Sequence, residues 1–281
     1  MKSFKEKLTE RVFLLIALST LSVLALITVF IFIKGMPIIA KVGIINFVFG
    51  MKWAPSQGYY GIFPMIVGSV SVTIGAAIVG VPIAICCSIF LAEFAPVKLR
   101  NIFRPAIQLL AAIPSVVYGF WGVLFVVPAI RKYMGGPGLS ILAGSIILGI
   151  MILPTIISIT EVSLLALPRH YKDGALALGL TQWQTIRSLL LPAAKSGIVA
   201  AVILGLGRAI GETMAVIMVL GNAVALPHSV LDPVRTLTTN IGIEMGYASG
   251  EHQQALFATG IVLFVIIMIL NATAQYITRK R

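Results

Sequence analysis

Apolar residues in this chain fall in long, nearly unbroken runs separated by short polar stretches. That pattern matches neither the strict alternation of a half-buried strand nor the narrow stripe of a soluble helix. A helix of about 20 apolar residues crosses a bilayer, and six runs reach or pass that length. They are 12–33, 64–91, 107–130, 139–164, 198–220 and 255–277. The second and fourth exceed the minimum and are expected to tilt or to project beyond the hydrocarbon. The first is too long for a signal-peptide core and has no small-residue cleavage site, so it is expected to stay as an anchor. The pattern predicts an all-α polytopic membrane protein with six transmembrane helices. Residues 1–63 form an anchor helix and an external loop, and residues 64–281 form the core. No internal repeat and no low-complexity segment interrupts it.

One stretch breaks the apolar pattern. Residues 165–197 are polar and amphipathic and lie between two spans. Pro168 suits a helix start, where its missing N–H costs nothing. Gly179 suits the left-handed position just past a helix end. Thr181 followed by Gln184 reads as a capping box that opens a second helix. The stretch is therefore expected to be a helix-turn-helix hairpin at the membrane surface.

Composition agrees: 59% of residues are hydrophobic and 11% charged, far from soluble-domain norms. The net charge of +12 could suggest a nucleic-acid partner, but its distribution argues for membrane topology. With the N-terminus inside, the cytoplasmic segments collect Lys2, Lys5, Lys7, Arg11, Lys98, Arg100, Arg104, Arg169, Lys172, Arg187, Lys195, Arg279, Lys280 and Arg281. The external segments hold Lys34, Lys41, Lys52, Arg131, Lys132 and Arg235. This positive-inside bias places both termini and the 165–197 hairpin in the cytoplasm. No recognition-helix or aromatic-interleaved pattern supports nucleic acid.

The loops are short. Trp53-Ala54-Pro55 and Gly58-Tyr59-Tyr60-Gly61 are expected to lie along the outer headgroups, where Trp and Tyr are favoured. Residues 93–104 read as a short cytoplasmic turn, 134–138 as a tight external turn, and 225–254 as an external segment too small to be a domain. Cys86 and Cys87 are adjacent in the second span, about 100° apart on a helix, and are expected to be inert packing residues. His170, His228 and His252 lie in separate loops without metal-ligand spacing. The chain has no G-x-x-x-x-G-K-[ST] stretch to cradle a nucleotide. Gly207 and Gly211 make a G-x-x-x-G step, suited to close approach of another helix.

Charges inside a span are expensive and must face a partner or a wet cavity. Arg208 and Glu212, four residues apart in the fifth predicted span, are expected on one helix face. Two readings remain. Arg208 can be the transient cation on an anion path, with Glu212 limiting how tightly the anion is held; or the two can form a structural ion pair. The first is preferred. Thr213 and Asn222 add polarity, although each could serve only to bond a neighbouring helix. In the third span Pro114 frees a backbone carbonyl and can kink the helix. Ser115 and Tyr118 supply neutral donors beside that break, either for an oxyanion or for packing alone. Glu161 is read as an interfacial residue.

The hairpin resembles the EAA loop of ABC-transporter permeases, the element that docks into a partner ATPase. The family pattern is Glu-Ala-Ala, three residues, Gly, nine residues, Ile, one residue, Leu-Pro. Here Asp173 stands for the Glu, Gly174 and Ala175 for the alanines, and Leu189 for the Ile, while Gly179, Leu191 and Pro192 match. Gly174 weakens the first helix by about 1 kcal/mol relative to Ala. Asp173, Gly174, Ala175, Leu178 and Gly179 are the residues that the resemblance assigns to ATPase coupling.

From Trp53 onward the chain is similar to phosphate ABC-transporter permeases of the PstC type. The segments that carry this are Trp53-Ala54-Pro55, Leu91-Ala92-Glu93-Phe94-Ala95-Pro96, Ala112-Ile113-Pro114-Ser115-Val116-Val117-Tyr118-Gly119, Gly207-Arg208-Ala209-Ile210-Gly211-Glu212-Thr213 and Leu231-Asp232-Pro233-Val234-Arg235-Thr236-Leu237. The resemblance implies the type I ABC-importer permease fold in the cell membrane and a sister permease, PstA. It also implies two copies of the ATPase PstB and an external phosphate-binding protein, PstS. ATP and Mg would be bound by the ATPase, leaving this chain without cofactor or enzymatic activity. The alternatives are a permease for another oxyanion, the sister permease, and a secondary phosphate transporter. The last would call for inverted repeats and has no use for a docking hairpin. A membrane enzyme would need clustered carboxylates or histidines, and the acidic residues are scattered.

Overall fold

A continuous run of branched apolar residues with no helix-breaking pair drives α1, Phe4–Val42, through 39 residues. The computed structural model describes residues 4–279, with the side chains of 4–8, 274 and 277–279 set aside. Lys2, Lys280 and Arg281, counted above among the cytoplasmic cations, lie outside the described residues, as do the side chains of Lys5, Lys7 and Arg279. Gly43 ends α1 and a short helix α2, Ile44–Phe49, follows. The strands β1, Trp53–Ala54, and β2, Tyr59–Tyr60, then pair antiparallel, Trp53 opposite Tyr60.

Helix α3, Phe63–Ile89, continues through a π turn at Phe90–Phe94. Together these give a 32-residue apolar segment, about 48 Å long at 1.5 Å per residue. That exceeds the roughly 30 Å hydrocarbon layer, so it must tilt or project. Helix α4, Val97–Ala112, stops at Ile113-Pro114, both in extended backbone. Helix α5, Ser115–Trp121, runs through a second π turn, Gly122–Val126, into α6, Val127–Tyr133. Ser140 caps α7, Ile141–Leu165, accepting from the Ala143 N–H at 3.2 Å.

The hairpin follows as α8, Arg169–Ala177, and α9, Gln182–Thr185, which passes through a π turn, Ile186–Leu190, into α10, Leu191–Ala193. Helix α11, Lys195–Gly211, leaves that arm at 71°. Helix α12, Met214–Val219, is joined by a 17-residue loop (residues 220–236) to α13, Leu237–Glu244, and α14, Gly250–Arg279, closes the chain.

Five helical segments are long and apolar enough to span a membrane, and the bent α9–α11 pair makes a sixth. The main core lies between α3, α7, α11 and α12, where Ala76, Ile147, Ile152, Ile156 and Val216 are fully buried. Small residues let α3 and α7 cross closely: a β-carbon at Gly80 would stand 2.6 Å from the Gly149 carbonyl oxygen. A second core joins α1, α2, the strands, α13 and α14 around Ile38, Phe47, Ile62, Leu237 and Leu256. A third joins the ends of α3 and α7 to the second hairpin arm through Ile89, Leu164, Ile186 and Leu190.

Several boundaries differ from the sequence reading. Residues 93–104 are not a short turn, because α4 begins at Val97 as an amphipathic, largely exposed helix. The third span is Ser115–Tyr133 rather than 107–130, because Pro114 ends one helix instead of kinking a single one. Trp53 and Tyr60 do not lie along the surface: both are buried in the second core, and Trp53 Nε1 donates to Glu244 at 2.9 Å. Residues 225–254 fold back through α13, whose Leu237, Thr238, Thr239, Asn240 and Glu244 are buried. His170 and His252 lie in helices rather than loops. Cys86 is exposed and Cys87 partly covered, so only Cys87 packs against the core.

Candidate translocation and coupling sites

Arg208 occupies the last turn of α11, where a cation complements the carbonyl end of the helix. It is half-buried, and among the described residues no carboxylate, hydroxyl or carbonyl bonds its guanidinium. The expected shared helix face with Glu212 does not exist. Helix α11 ends at Gly211, and Glu212 has extended backbone, φ −69° and ψ 135°. Its carboxylate turns forward instead, accepting from the Ala215 N–H at 3.2 Å and capping α12. Its carbonyl accepts from the Thr238 hydroxyl at 2.8 Å. Helix α11 therefore ends at Gly211, and α12 starts afresh beyond the extended Glu212, whose side chain bonds the first turn of the new helix. The structural ion-pair reading of Arg208 and Glu212 is thereby set aside for this chain.

Thr213 sits in the break, with its hydroxyl 3.4 Å from the Gly211 carbonyl. The other proposed path residues come close through α5, which packs on α12 at Gly119. A β-carbon there would stand 2.9 Å from Ala215 Cα, so only glycine allows this approach. Tyr118 is buried on α5, donates to the Leu110 carbonyl at 2.8 Å, and lies within reach of the Arg208 charge. Its hydroxyl thus holds α4 against α5 across the Ile113-Pro114 break. Ser115 is half-buried at the first turn of α5, with no hydrogen-bond partner among the described residues. Asn222 lies beyond α12 in a left-handed turn, φ 54°, and its amide donates to the Ile217 carbonyl at 2.8 Å. No β-carbon clash within 4 Å exists at Gly207 or Gly211 among the described residues, so their small-residue face is open in this chain.

The hairpin is built by local chemistry. Gly179 has φ 85°, and its N–H reaches the Leu176 carbonyl at 3.0 Å while the Leu180 N–H reaches Ala175 at 3.2 Å. This pair of bonds is the Schellman closure of a helix. The Thr181–Gln184 capping box is complete: the Gln184 side chain accepts from the Thr181 N–H at 2.8 Å, and Thr181 Oγ1 accepts from the Gln184 N–H at 3.3 Å. Ala175 is the buried residue of α8. Asp173 and Gly174 are exposed, and Leu178 is 83% exposed, a large apolar side chain with no cover in this chain.

Other polar residues were missed by sequence reasoning. Glu244 binds Arg235 Nη1 at 2.6 Å and His252 Nε2 at 2.8 Å, in addition to Trp53. Arg235 also donates to Asn240 Oδ1 and to the Asn222 carbonyl, each at 3.1 Å. Glu161 is buried against Arg104, Oε1 to Nη2 2.8 Å, and is not a surface residue. Their partners lie on separate elements, so no local pattern in the sequence announces these contacts.

Residues 84–281 match the family described as binding-protein-dependent transport system inner membrane component. The probable ABC transporter permease protein YqgH of Bacillus subtilis (strain 168) is 42% identical over 263 residues, 91% of this chain and 85% of that one. The phosphate transport system permease protein PstC of Pasteurella multocida (strain Pm70) is 36% identical, over 84% of this chain and 80% of its own length. Among solved structures, an inward-facing MetNI methionine ABC transporter chain aligns with TM-score 0.59 at 20% identity, covering 82% of this chain and 96% of that one. A chain of a bacterial alginate importer aligns with TM-score 0.60 at 17% identity, over 98% of both. These neighbours carry the type I importer permease fold. The chain belongs to the binding-protein-dependent transport system membrane-component family. It is a multi-pass permease of an ABC importer, similar in sequence to phosphate permeases of the PstC type.

Proposed function

We propose that this chain is the PstC-type permease of an ATP-driven phosphate importer. It would form the translocation path with a PstA-like sister permease, receive phosphate from an external binding protein, and be driven by two copies of a PstB-like ATPase that bind ATP and Mg. Both termini and the hairpin face the cytoplasm in this reading, as the Lys/Arg asymmetry favours.

The observation that carries the substrate assignment is Arg208: a half-buried guanidinium at a break in a membrane helix, without a carboxylate partner among the described residues. Phosphate near neutral pH carries one to two negative charges and needs a compensating cation in a low-dielectric passage. Arginine does not titrate away and presents a fork suited to oxyanions. Thr213 offers a neutral hydroxyl at the same break, and Ser115 and Tyr118 offer theirs beside the Ile113-Pro114 break, on the helix that packs against α12. Glu212, with its carboxylate engaged in capping α12, adds negative charge near the route and keeps net binding weak enough for release. Sequence relatives named as phosphate permeases support the same substrate.

The test is Arg208→Gln in the reconstituted complex, with phosphate uptake and ATP hydrolysis both normalised to assembled protein. Uptake should fall about a hundredfold, the order expected for loss of a desolvated charge contact, with assembly unchanged. Normal uptake per assembled complex would reject the path assignment.

A further inference from the structure

Glu93 stands where three parts of the molecule meet. It lies in the π turn that ends α3, and its side chain is 9% exposed. Its carboxylate accepts from Lys172 Nζ on α8 at 2.6 Å, and its carbonyl accepts from Gln182 Nε2 at the start of α9 at 3.2 Å. One residue therefore binds both arms of the hairpin. Arg100 fastens the same turn, donating through Nε to the Leu91 carbonyl at 3.0 Å and through Nη2 to Ala92 at 3.2 Å.

The two arms differ in what else holds them. The second is set into the third core through Ile186 and Leu190. The first, α8, buries Ala175 and otherwise presents an exposed surface. Its attachment to the spanning bundle thus depends on Lys172 and Glu93. A charge pair with one member withdrawn from water is stronger and stiffer than a surface pair, because water does not screen it fully.

Beyond Glu93 the connection continues through rigid parts. Helix α3 packs along α7, and near its other end Ser69 Oγ accepts from the Leu237 N–H at 2.9 Å, in a buried bond. Leu237 opens α13, whose Thr238 holds the Glu212 carbonyl. From the hairpin to the break beside Arg208 the path is therefore the Lys172–Glu93 contact, α3, the Leu237–Ser69 bond, the first turn of α13 and the Thr238–Glu212 bond.

We propose that Glu93 is a positioning residue for transport: it carries movement of α8 into α3, and the Lys172–Glu93 pair sets how much of each ATPase cycle is delivered as substrate movement. This rests on the hairpin being the ATPase dock. Coupling between distant sites requires an element that both bias, and spatial continuity alone does not establish it. The experiment must therefore read coupling rather than stability.

The full complex is reconstituted in vesicles with the phosphate-binding protein outside and ATP on the hairpin side. Phosphate moved per ATP hydrolysed is measured for each variant. Glu93→Gln and Lys172→Met should each lower that ratio by about fivefold or more, the span of ordinary coupling free energies, while the ATPase still co-purifies. The swapped double variant, Glu93→Lys with Lys172→Glu, should recover most of the ratio, which a generally loosened fold would not do. An unchanged ratio in Lys172→Met overturns the proposal, even if Glu93→Gln fails to assemble. So does an assembled swap that recovers nothing, and so does loss of the ATPase from Lys172→Met, which would make the pair part of the dock itself. Absence of the ATPase from the wild-type complex would sink the docking reading, and this proposal with it.

Discussion

At Gly179 a single backbone angle decides the shape of the proposed coupling hairpin. With φ at 85° and two closing hydrogen bonds, the turn reverses the chain between α8 and α9 within four residues. A residue with a β-carbon is strained there by about 1–2 kcal/mol, and proline, fixed near φ −65°, is excluded altogether. Gly179→Pro should therefore abolish coupled uptake and ATPase co-purification while membrane insertion stays normal; full coupled transport in that variant would show that the hairpin's turn is not needed. No β-carbon clash accompanies the change, since nothing lies within 4 Å of that position among the described residues, so a loss would come from conformation. Arg208 illustrates the opposite case, a residue whose backbone is ordinary and whose consequence lies in what it does not touch.

Among the elements, α13 carries the densest set of polar obligations. Glu244 at its end accepts from Arg235, His252 and Trp53, so the β1–β2 ribbon, the 220–236 loop and α14 all fasten to one carboxylate. Removing one partner from a buried charge pair leaves the other uncompensated, at a cost of about 3–5 kcal/mol. Glu244→Ala should lower the thermal midpoint of the detergent-purified protein markedly, whereas Lys41→Ala, which breaks an exposed pair with Glu251, should leave it almost unchanged. Equal shifts would show that the Glu244 cluster is not buried in the working protein. The hairpin was legible in the sequence because its determinants are local: Gly179, Thr181 and Gln184 act within one turn of each other. The end of α11 was not, because Gly211-Glu212-Thr213 contains no proline and sits in an apolar run. At the break Glu212 takes extended backbone, with its carboxylate turned forward to the Ala215 N–H and its carbonyl held by the Thr238 hydroxyl, 26 residues away. The burial of Trp53 was likewise invisible, since its partner Glu244 lies 191 residues on. Six apolar runs were readable; Pro114 marked the break in the third, whereas nothing local marked the one in the fifth.

For the whole molecule, the proposed topology has six spans and both termini on the cytoplasmic side, the arrangement the Lys/Arg asymmetry favours. Reporter fusions after Gly136 and Pro227 should read outside, and fusions after Lys98, Lys172 and Arg281 should read inside. An outside signal at Lys172 would separate the hairpin from the compartment that holds ATP, and the importer mechanism would not survive it. The break at residues 211–213 has a further consequence. Non-helical backbone at membrane depth is tolerated where protein or water covers it and not where it meets lipid. The open faces at Gly207 and Gly211 lie in and just before that break. A copy without a partner permease would turn the Arg208 guanidinium, which has no ion-pair partner among the described residues, toward hydrocarbon, at a cost of about 2.5–3.5 kcal/mol.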